Sequence, residues 1–328
     1  MDNTCLKRYT GCLLGLAVGD ALGTSVEFQT PYHFTPITDM LGGGVFELEA
    51  GQWTDDTSMA LCLADSLITT QAFDPVDQME RYLLWYRQGY LSSTTQCFDI
   101  GNTVLQALQT FEKTREPYCG IDGVFAAGNG SLMRLAPISL FYANSPALAI
   151  EYAAASSRTT HASRIAVDAC RFFAGLLVGA LRGEAKQRLL SPRYSPIPHY
   201  WDEHPLCPEI EAIACGSYQH KNPPPPEVIA HWSKFDLQTY IRGTGFVVNA
   251  LEAALWAFYH TDNYTDGVLK AVNLGDDADT TGAIYGQLSG AFYGEDAIRA
   301  DWLAKLAQRG RIVEYAKQLA MLADTHPV

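Results

Sequence analysis

Glycines spaced four residues apart run through both ends of this chain, and they limit its fold more than any other feature. Gly11, Gly15, Gly19 and Gly23 form one series, and Gly282, Gly286, Gly290 and Gly294 form a second. That spacing puts each series on one face of a helix. Glycine inside a helix costs roughly 0.5–1 kcal/mol relative to alanine, so a repeated stripe needs a compensating gain. Close approach of another helix backbone is the gain expected here. In an apolar span the same device would pair membrane helices, but the segment 8–23 is short and carries Asp20. Each stripe lies near acidic residues: Asp20 and Glu27 in one case, Asp276, Asp277 and Asp279 in the other. Both striped helices are therefore expected in the tightly packed centre of the fold.

The remaining sequence reads as helical. Leucine and alanine recur throughout, and alternating β-branched runs are scarce, which favours an all-α fold. Besides the striped segments, helices are predicted at roughly 57–69, 75–88, 101–112, 146–156, 163–182, 242–260 and 296–324. Thr54, Asp55 and Asp56 stand where capping residues belong at a helix start. One domain over residues 1–328 is expected, interrupted at about 190–230. There Pro192, Pro196, Pro198, Pro205 and Pro208 precede the run Pro223 to Pro226. Prolines this dense break helices, so a solvent-exposed loop excursion is expected, with a substrate-selecting flap as the functional alternative.

The formal net charge of -13 opposes binding to nucleic-acid phosphates. It does not exclude one small anionic ligand, because local dipoles and metals outweigh distant charge. The eight cysteines form no Cys-x-x-Cys pair, which argues against a structural zinc site and against a disulfide scaffold. A reducing cytoplasm is the expected setting. No stretch is long and uncharged enough to span a membrane; the best, 166–181, contains Asp168 and Arg171.

Four segments concentrate residues with chemical potential. They are Thr54-Asp55-Asp56-Thr57, Asp99-Ile-Gly101-Asn102, Gly128-Asn129-Gly130-Ser131 through Met133-Arg134, and Asp276-Asp277-Ala-Asp279-Thr280. The first and last each offer carboxylates and hydroxyls at a helix start. Mg²⁺ and Mn²⁺ prefer such oxygens. Either segment alone also reads as an ordinary N-cap; two together favour one shared metal site. The Gly-Asn-Gly-Ser loop can present N–H groups to a phosphate, although most such sequences are plain turns. His161 alone reads more readily as a structural cap than as a catalytic group.

Three other motif readings fail. Asp277-Ala-Asp279-Thr-Thr281 fits the nucleophile pattern of haloacid-dehalogenase-type phosphatases, but it lies late in the chain and in a helical context. An EF-hand loop from Asp277 would need glutamate where Leu288 stands. An isoprenoid-synthase Asp-Asp-x-x-Asp motif at Asp55 would need an acid where Met59 stands.

Taken in order, several motifs resemble the ADP-ribosylglycohydrolase family. They are Gly19-Asp20-Ala-Leu-Gly23 with Glu27-Phe28, Gly42-Gly43-Gly44, Thr54-Asp55-Asp56-Thr57, Gly128-Asn129-Gly130 through Met133-Arg134, Thr160-His161, and Gly275 through Gly282. The segment from Asp99 to Thr103 looks most like the dinitrogenase reductase-activating branch, which acts on ADP-ribosylarginine. The resemblance implies a compact orthogonal multi-helix fold and a binuclear Mg²⁺ or Mn²⁺ centre. Carried over by motif, Thr54, Asp55, Asp56, Asp277, Asp279 and Thr280 are the expected metal ligands, with Glu27 beside them on a loop that opens and closes. Asp99, Gly101 and Asn102 are expected on the terminal-ribose and target side. Asn129, Gly130, Ser131 and Met133 are expected to hold diphosphate and ribose, and His161 to contact the ADP-ribose.

The implied partner is an ADP-ribosylated protein, and the product is ADP-ribose. Cleavage at the anomeric carbon passes through an oxocarbenium-like state. Asp55, or else Asp277, is the expected base, with Asp99 holding the guanidinium leaving group. The remaining alternatives are serine-linked or O-acetyl substrates, or a catalytically silent ADP-ribose-binding protein of the same fold.

Overall fold

A computed structural model describes residues 2–229 and 239–325. Among them are sixteen α-helices. In chain order these are α1 (Asn3–Gly23), α2 (Asp55–Thr70), α3 (Pro75–Gln88), α4 (Asn102–Thr114), α5 (Ala136–Phe141), α6 (Pro146–Arg158), α7 (Arg164–Leu181) and α8 (Lys186–Leu189). They continue as α9 (Tyr200–Glu203), α10 (Pro208–Ala214), α11 (Pro226–Ile229), α12 (Val247–Tyr259), α13 (Tyr264–Val272), α14 (Ala278–Tyr293), α15 (Ala300–Lys305) and α16 (Arg309–Ala323). No β-strand occurs among the described residues, where pairing is limited to isolated bridges such as Gly128–Phe246. No helix among them is long and apolar enough to cross a membrane.

The glycine stripes account for the centre of the molecule. Helices α1 and α14 run antiparallel with their glycines face to face: Gly11 against Gly290, Gly15 against Gly286, Gly19 against Gly282, and Gly23 against Ala278 and Asp279. A Cβ on Gly15 would overlap the Gly286 carbonyl, and one on Gly286 would overlap that of Gly15. The two backbones thus touch where side chains would hold them apart. Gly294 departs from the stripe; it ends α14 at φ 80°, a conformation glycine adopts without strain. Helices α13 and α16 pack on α1, while α7, α12 and α13 pack on α14. Every residue from Tyr9 to Gly23 is buried, so α1 is a central rod rather than an amphipathic surface helix.

Three sequence expectations differ from the structure. The helix predicted from 242 begins only at Val247, because residues 243–246 bridge between other loops: Asp277 N–H donates to Gly243 O, and Asn129 N–H to Gly245 O. The helix predicted over 296–324 is interrupted at 306–308, where Gln308 has φ 48° and Ala307 N–H bonds Gly51 O. The 190–230 stretch is not a wholly exposed excursion. Its prolines divide it into short helices, and Trp201, Ile210, Ile213 and Tyr218 are buried in the common core; residue 230 lies outside the described residues. Pro208 opens α10 in the first turn, where its missing N–H is harmless.

Candidate functional site

The antiparallel pairing of α1 and α14 brings the C-terminal end of one beside the N-terminal end of the other. Asp20, in the last turns of α1, is fully buried. Its Oδ1 accepts from the N–H and hydroxyl of Thr54, both at 2.9 Å. Its Oδ2 accepts from the N–H of Thr57 at 3.0 Å and the hydroxyl at 2.6 Å. Thr54 occupies the N-cap position of α2 but makes no side-chain cap bond. The cap comes from Asp20, a neighbouring helix's carboxylate. Thr54, Asp55 and Asp56 are thereby released from capping, the ordinary role open to them in the sequence.

The released groups converge. Thr54 Oγ1 lies 3.1 Å from Asp279 Oδ2 and 3.3 Å from Asp56 Oδ2, as well as against Asp20. Thr280 Oγ1 lies 3.4 Å from Asp56 Oδ2. One threonine proton serves one of those acceptors at a time, so the oxygens outnumber the hydrogens between them. Oxygens of Glu27, Asp277 and Asp279 all fall within 4.8 Å of one another. Glu27 Oε2 and Asp56 Oδ1 are buried without any hydrogen-bond partner. Buried orphan acceptors of this kind are costly unless a proton or cation completes them.

Electrostatics point the same way. Burial raises the pKa of Asp55, with Asp99, Asp56, Asp20 and Glu27 adding to it. Burial, then Glu27, Asp56, Asp277 and Asp99, do the same for Asp279. Asp56 is raised by burial and then by Asp20, Asp277 and Asp99. Glu27 is pushed up to about 10 and Asp99 to about 7, each by burial first and neighbouring carboxylates second. Asp277 is raised by burial, although its Oδ2 accepts from Asn129 Nδ2 at 2.6 Å. Carboxylates gathered in this way could hold a cation, since a divalent ion favours the ionised form of each. The N-terminal ends of α2 and α14 already supply partial positive charge to it.

Above the cluster opens a cleft of about 680 Å³. Glu27, Asp55, Asp277, Asp279 and Thr280 reach its surface, whereas Thr54 and Asp56 lie buried beneath it. One wall carries Asp99, Gly101 and Asn102, at the N-terminal end of α4. Asp99 has φ 50°, a bend that breaks the chain just before the helix. The lining also includes Gly128, Asn129, Gly130, Met133 and His161. A Cβ on Gly130 would lie 2.9 Å from His161 Cε1, so glycine leaves the imidazole room to reach the cleft.

Ser131 departs from the expected set. Its hydroxyl turns into the core, 2.8 Å from Ser157 Oγ and 3.5 Å from Cys170 Sγ, and it does not line the cleft. Residue Phe246 packs on the core behind the bridge to Gly128. Thr244 and Gly245, just before it in the chain, line the cleft. Their signal was present, because Gly243-Thr244-Gly245 repeats the glycine-polar-glycine grammar of Gly128-Asn129-Gly130. Reading 242–260 as one helix concealed it. Two further features had no local signal. Arg242 pairs with Asp276, which borders the cleft. Phe28, on the cleft, meets Phe46 edge to face and Phe46 meets Phe98 at a tilt, with ring centroids 6.5 and 5.3 Å apart and the three rings drawn from separate loops.

A second cleft, of about 470 Å³, lies between Tyr32, Pro224, Trp256 and Leu269. Its lining holds one carboxylate, Asp266, against Glu27, Asp55, Asp99, Asp276, Asp277 and Asp279 in the lining of the first.

Comparison with known proteins bears on this geometry. The family profile described as ADP-ribosylglycohydrolase matches residues 1–327. The chain is 38% identical over 322 residues to the ADP-ribosylarginine hydrolase Tri1 of Serratia proteamaculans, covering 98% of this chain and 81% of that one. It is 31% identical over 306 residues to the ADP-ribosyl-[dinitrogen reductase] glycohydrolase of Rhodospirillum rubrum, covering 91% and 90%. A solved structure titled ADP-ribosylglycohydrolase-related protein complex superposes with a TM-score of 0.82 at 40% identity, covering 98% of this chain and all of that one. With a profile match along the chain, two relatives above 30% identity and a shared fold, this chain belongs to the ADP-ribosylglycohydrolase family.

Proposed function

We propose that this protein is a metal-dependent hydrolase that removes ADP-ribose from arginine side chains of modified proteins. The observation that carries the reading is the buried oxygen cluster of Thr54, Asp55, Asp56, Asp277, Asp279 and Thr280 under one wall of a nucleotide-sized cleft. The arginine linkage is supported by the names of the Serratia proteamaculans and Rhodospirillum rubrum relatives. It is also supported by Asp99, a carboxylate on the cleft wall able to hold a guanidinium.

The residues fit a divalent metal centre. They are hard oxygen donors, they hold orphaned acceptors, and they raise one another's pKa. We assign Thr54, Asp55, Asp56, Asp277, Asp279 and Thr280 as the ligands of two Mg²⁺ or Mn²⁺ ions, with Glu27 beside them. The chemistry such ions would supply when bound is Lewis-acid stabilisation of the charge that develops as the glycosidic bond breaks.

The chain's own groups do the rest. Asp55 reaches the cleft and, held ionised by the cation charge beside it, takes a proton from the attacking water. Asp277, steered by Asn129, is second in line. Asp99 hydrogen-bonds the departing guanidinium and orients it. Gly128 and Gly130 bring their backbone N–H groups to the phosphate side, that of Asn129 being spent on Gly245 O, and His161 adds its ring nitrogen there.

The test compares matched substrates. Wild type should release ADP-ribose from arginine-linked protein faster than from serine-linked protein or O-acetyl-ADP-ribose, and Asp99→Ala should reduce that preference. Equal rates on all three in wild type would remove the arginine assignment.

A further inference from the structure

Arg134 is the one arginine whose side chain lies wholly inside the protein, with 0% exposure, among the described residues. No carboxylate accompanies it there. Its Nη2 donates to Thr160 Oγ1 at 2.6 Å, its Nη1 reaches Met59 Sδ at 3.6 Å, and its guanidinium lies 4.6 Å over the Tyr82 ring. Its Nε has no hydrogen-bond partner. A buried, incompletely paired cation costs stability, and an apolar side chain of similar volume would avoid that cost. Its retention in this position calls for a use.

The use lies one residue further on. Thr160 Oγ1 is 2.8 Å from His161 Nδ1. A threonine hydroxyl has a single proton, and a guanidinium can only donate. With Arg134 donating to the oxygen, the hydroxyl proton is directed at Nδ1, the acceptor within reach. Nδ1 is then unprotonated, and the ring proton sits on Nε2. The opposite tautomer would place two donors on one hydroxyl and leave its own proton without an acceptor among the described residues. Nε2 is the edge of the ring that faces the glycine loop: a Cβ on Gly128 or on Gly130 would stand 3.2 Å from it. His161 lines the cleft at that point.

We propose that Arg134 and Thr160 are positioning residues that hold His161 as a neutral Nε2–H tautomer, so that the imidazole donates a hydrogen bond into the cleft to a phosphate or ribose oxygen of the ligand. Burial and the Arg134 charge lower the His161 pKa to about 3, which keeps the ring neutral. A neutral donor suits the site because it orients an oxygen without adding a second full charge to a cavity that already contains metal-seeking carboxylates. The ligand half of the proposal rests on reading the cleft as an ADP-ribose site; the tautomer half does not.

The experiment is long-range ¹H–¹⁵N correlation NMR on histidine-labelled protein, with and without ADP-ribose, beside calorimetric ADP-ribose binding. His161→Asn identifies the resonance. The wild-type ring should show the Nε2–H pattern at neutral pH. Thr160→Val should lose that fixed tautomer and weaken ADP-ribose binding by about tenfold, while Thr160→Ser restores both. A wild-type Nδ1–H ring, or an unchanged ring and affinity in Thr160→Val, overturns the proposal. If Thr160→Val does not fold, the wild-type spectrum and Thr160→Ser decide it. Failure of wild type to bind ADP-ribose would overturn the ligand half and the reading of the cleft, and the spectrum would still decide the tautomer separately.

Discussion

Asp20 Oδ2 accepts from both the backbone N–H and the hydroxyl of Thr57, so a carboxylate at the end of α1 caps the start of α2. The first consequence is for stability. Asp20→Ala leaves four donors on Thr54 and Thr57 without that acceptor and should cost about 3 kcal/mol in thermal or urea unfolding. Thr57→Val removes one hydroxyl donor and should cost about 1 kcal/mol. Both should also weaken divalent-metal binding, because Thr54 is held in place by the same carboxylate. Unchanged stability in Asp20→Ala would show that the cap is dispensable.

The glycine contact makes a sharper mutational test. Gly286→Ala places a methyl group against the Gly15 carbonyl and should cost about 1–3 kcal/mol or more. Gly310→Ala, in the first turn of α16 where a Cβ meets nothing within 4 Å, should be neutral or stabilising by up to about 1 kcal/mol. Chemical denaturation of the pair separates backbone crowding from helix propensity. Equal effects would contradict the interface.

Metal and proton compete for the same oxygens, and this predicts a pH signature. Unfolded aspartates and glutamates titrate near pH 4. In the folded, metal-free protein Glu27, Asp55, Asp56, Asp99 and Asp279 titrate higher. A pKa raised on folding gives stability that is complete below the unfolded value and is lost as pH rises through the folded value. In chelator the melting temperature should therefore carry a falling contribution from about pH 4 upwards, through the Asp99 value near 7. Added Mg²⁺ or Mn²⁺ should stabilise by about 2.7 kcal/mol at a hundredfold excess over its Kd. The gap in melting temperature between metal and chelator should widen from pH 5.5 to pH 8. A gap that narrows over that range would mean the ions bind elsewhere.

Substitution at the carboxylates separates chemistry from folding. Asp55→Asn and Asp279→Asn should lower turnover by roughly 10²–10⁴-fold, with the melting temperature in chelator unchanged or raised, because each removes a buried charge repelled by its neighbours. Full turnover in either variant would remove its assigned role.

Much of this was legible in the sequence for a physical reason. Glycines four apart serve poorly in a helix unless another backbone touches them, so the stripes at Gly15 and Gly286 announced a close helix pair before any partner was known. Acidic and hydroxyl residues at Thr54 and Asp277 were legible as candidate ligands because their residue types fit a hard cation. Residues that act across distance were not. Nothing local shows that Asp20 caps α2, that Arg242 pairs with Asp276, or that Arg134 reaches His161 through Thr160, because each pairing depends on which helix ends meet. The direction of the Ser131 hydroxyl was hidden for a related cause: in a glycine loop the residue type does not show that the turn faces it toward Ser157. The short helices between 190 and 230 were hidden because proline density marks where helices break, not whether the pieces bury Trp201 or Ile210.

The measurement that bears most directly on the central claim is release of free ADP-ribose from an arginine-ADP-ribosylated protein, followed with Mg²⁺, with Mn²⁺ and with excess chelator. Release with either metal, abolished by chelator and restored by adding the metal back, is the result predicted from the oxygen cluster beneath the cleft. Undiminished release in chelator would contradict the metal centre, and no release with either metal would contradict the arginine-directed hydrolase.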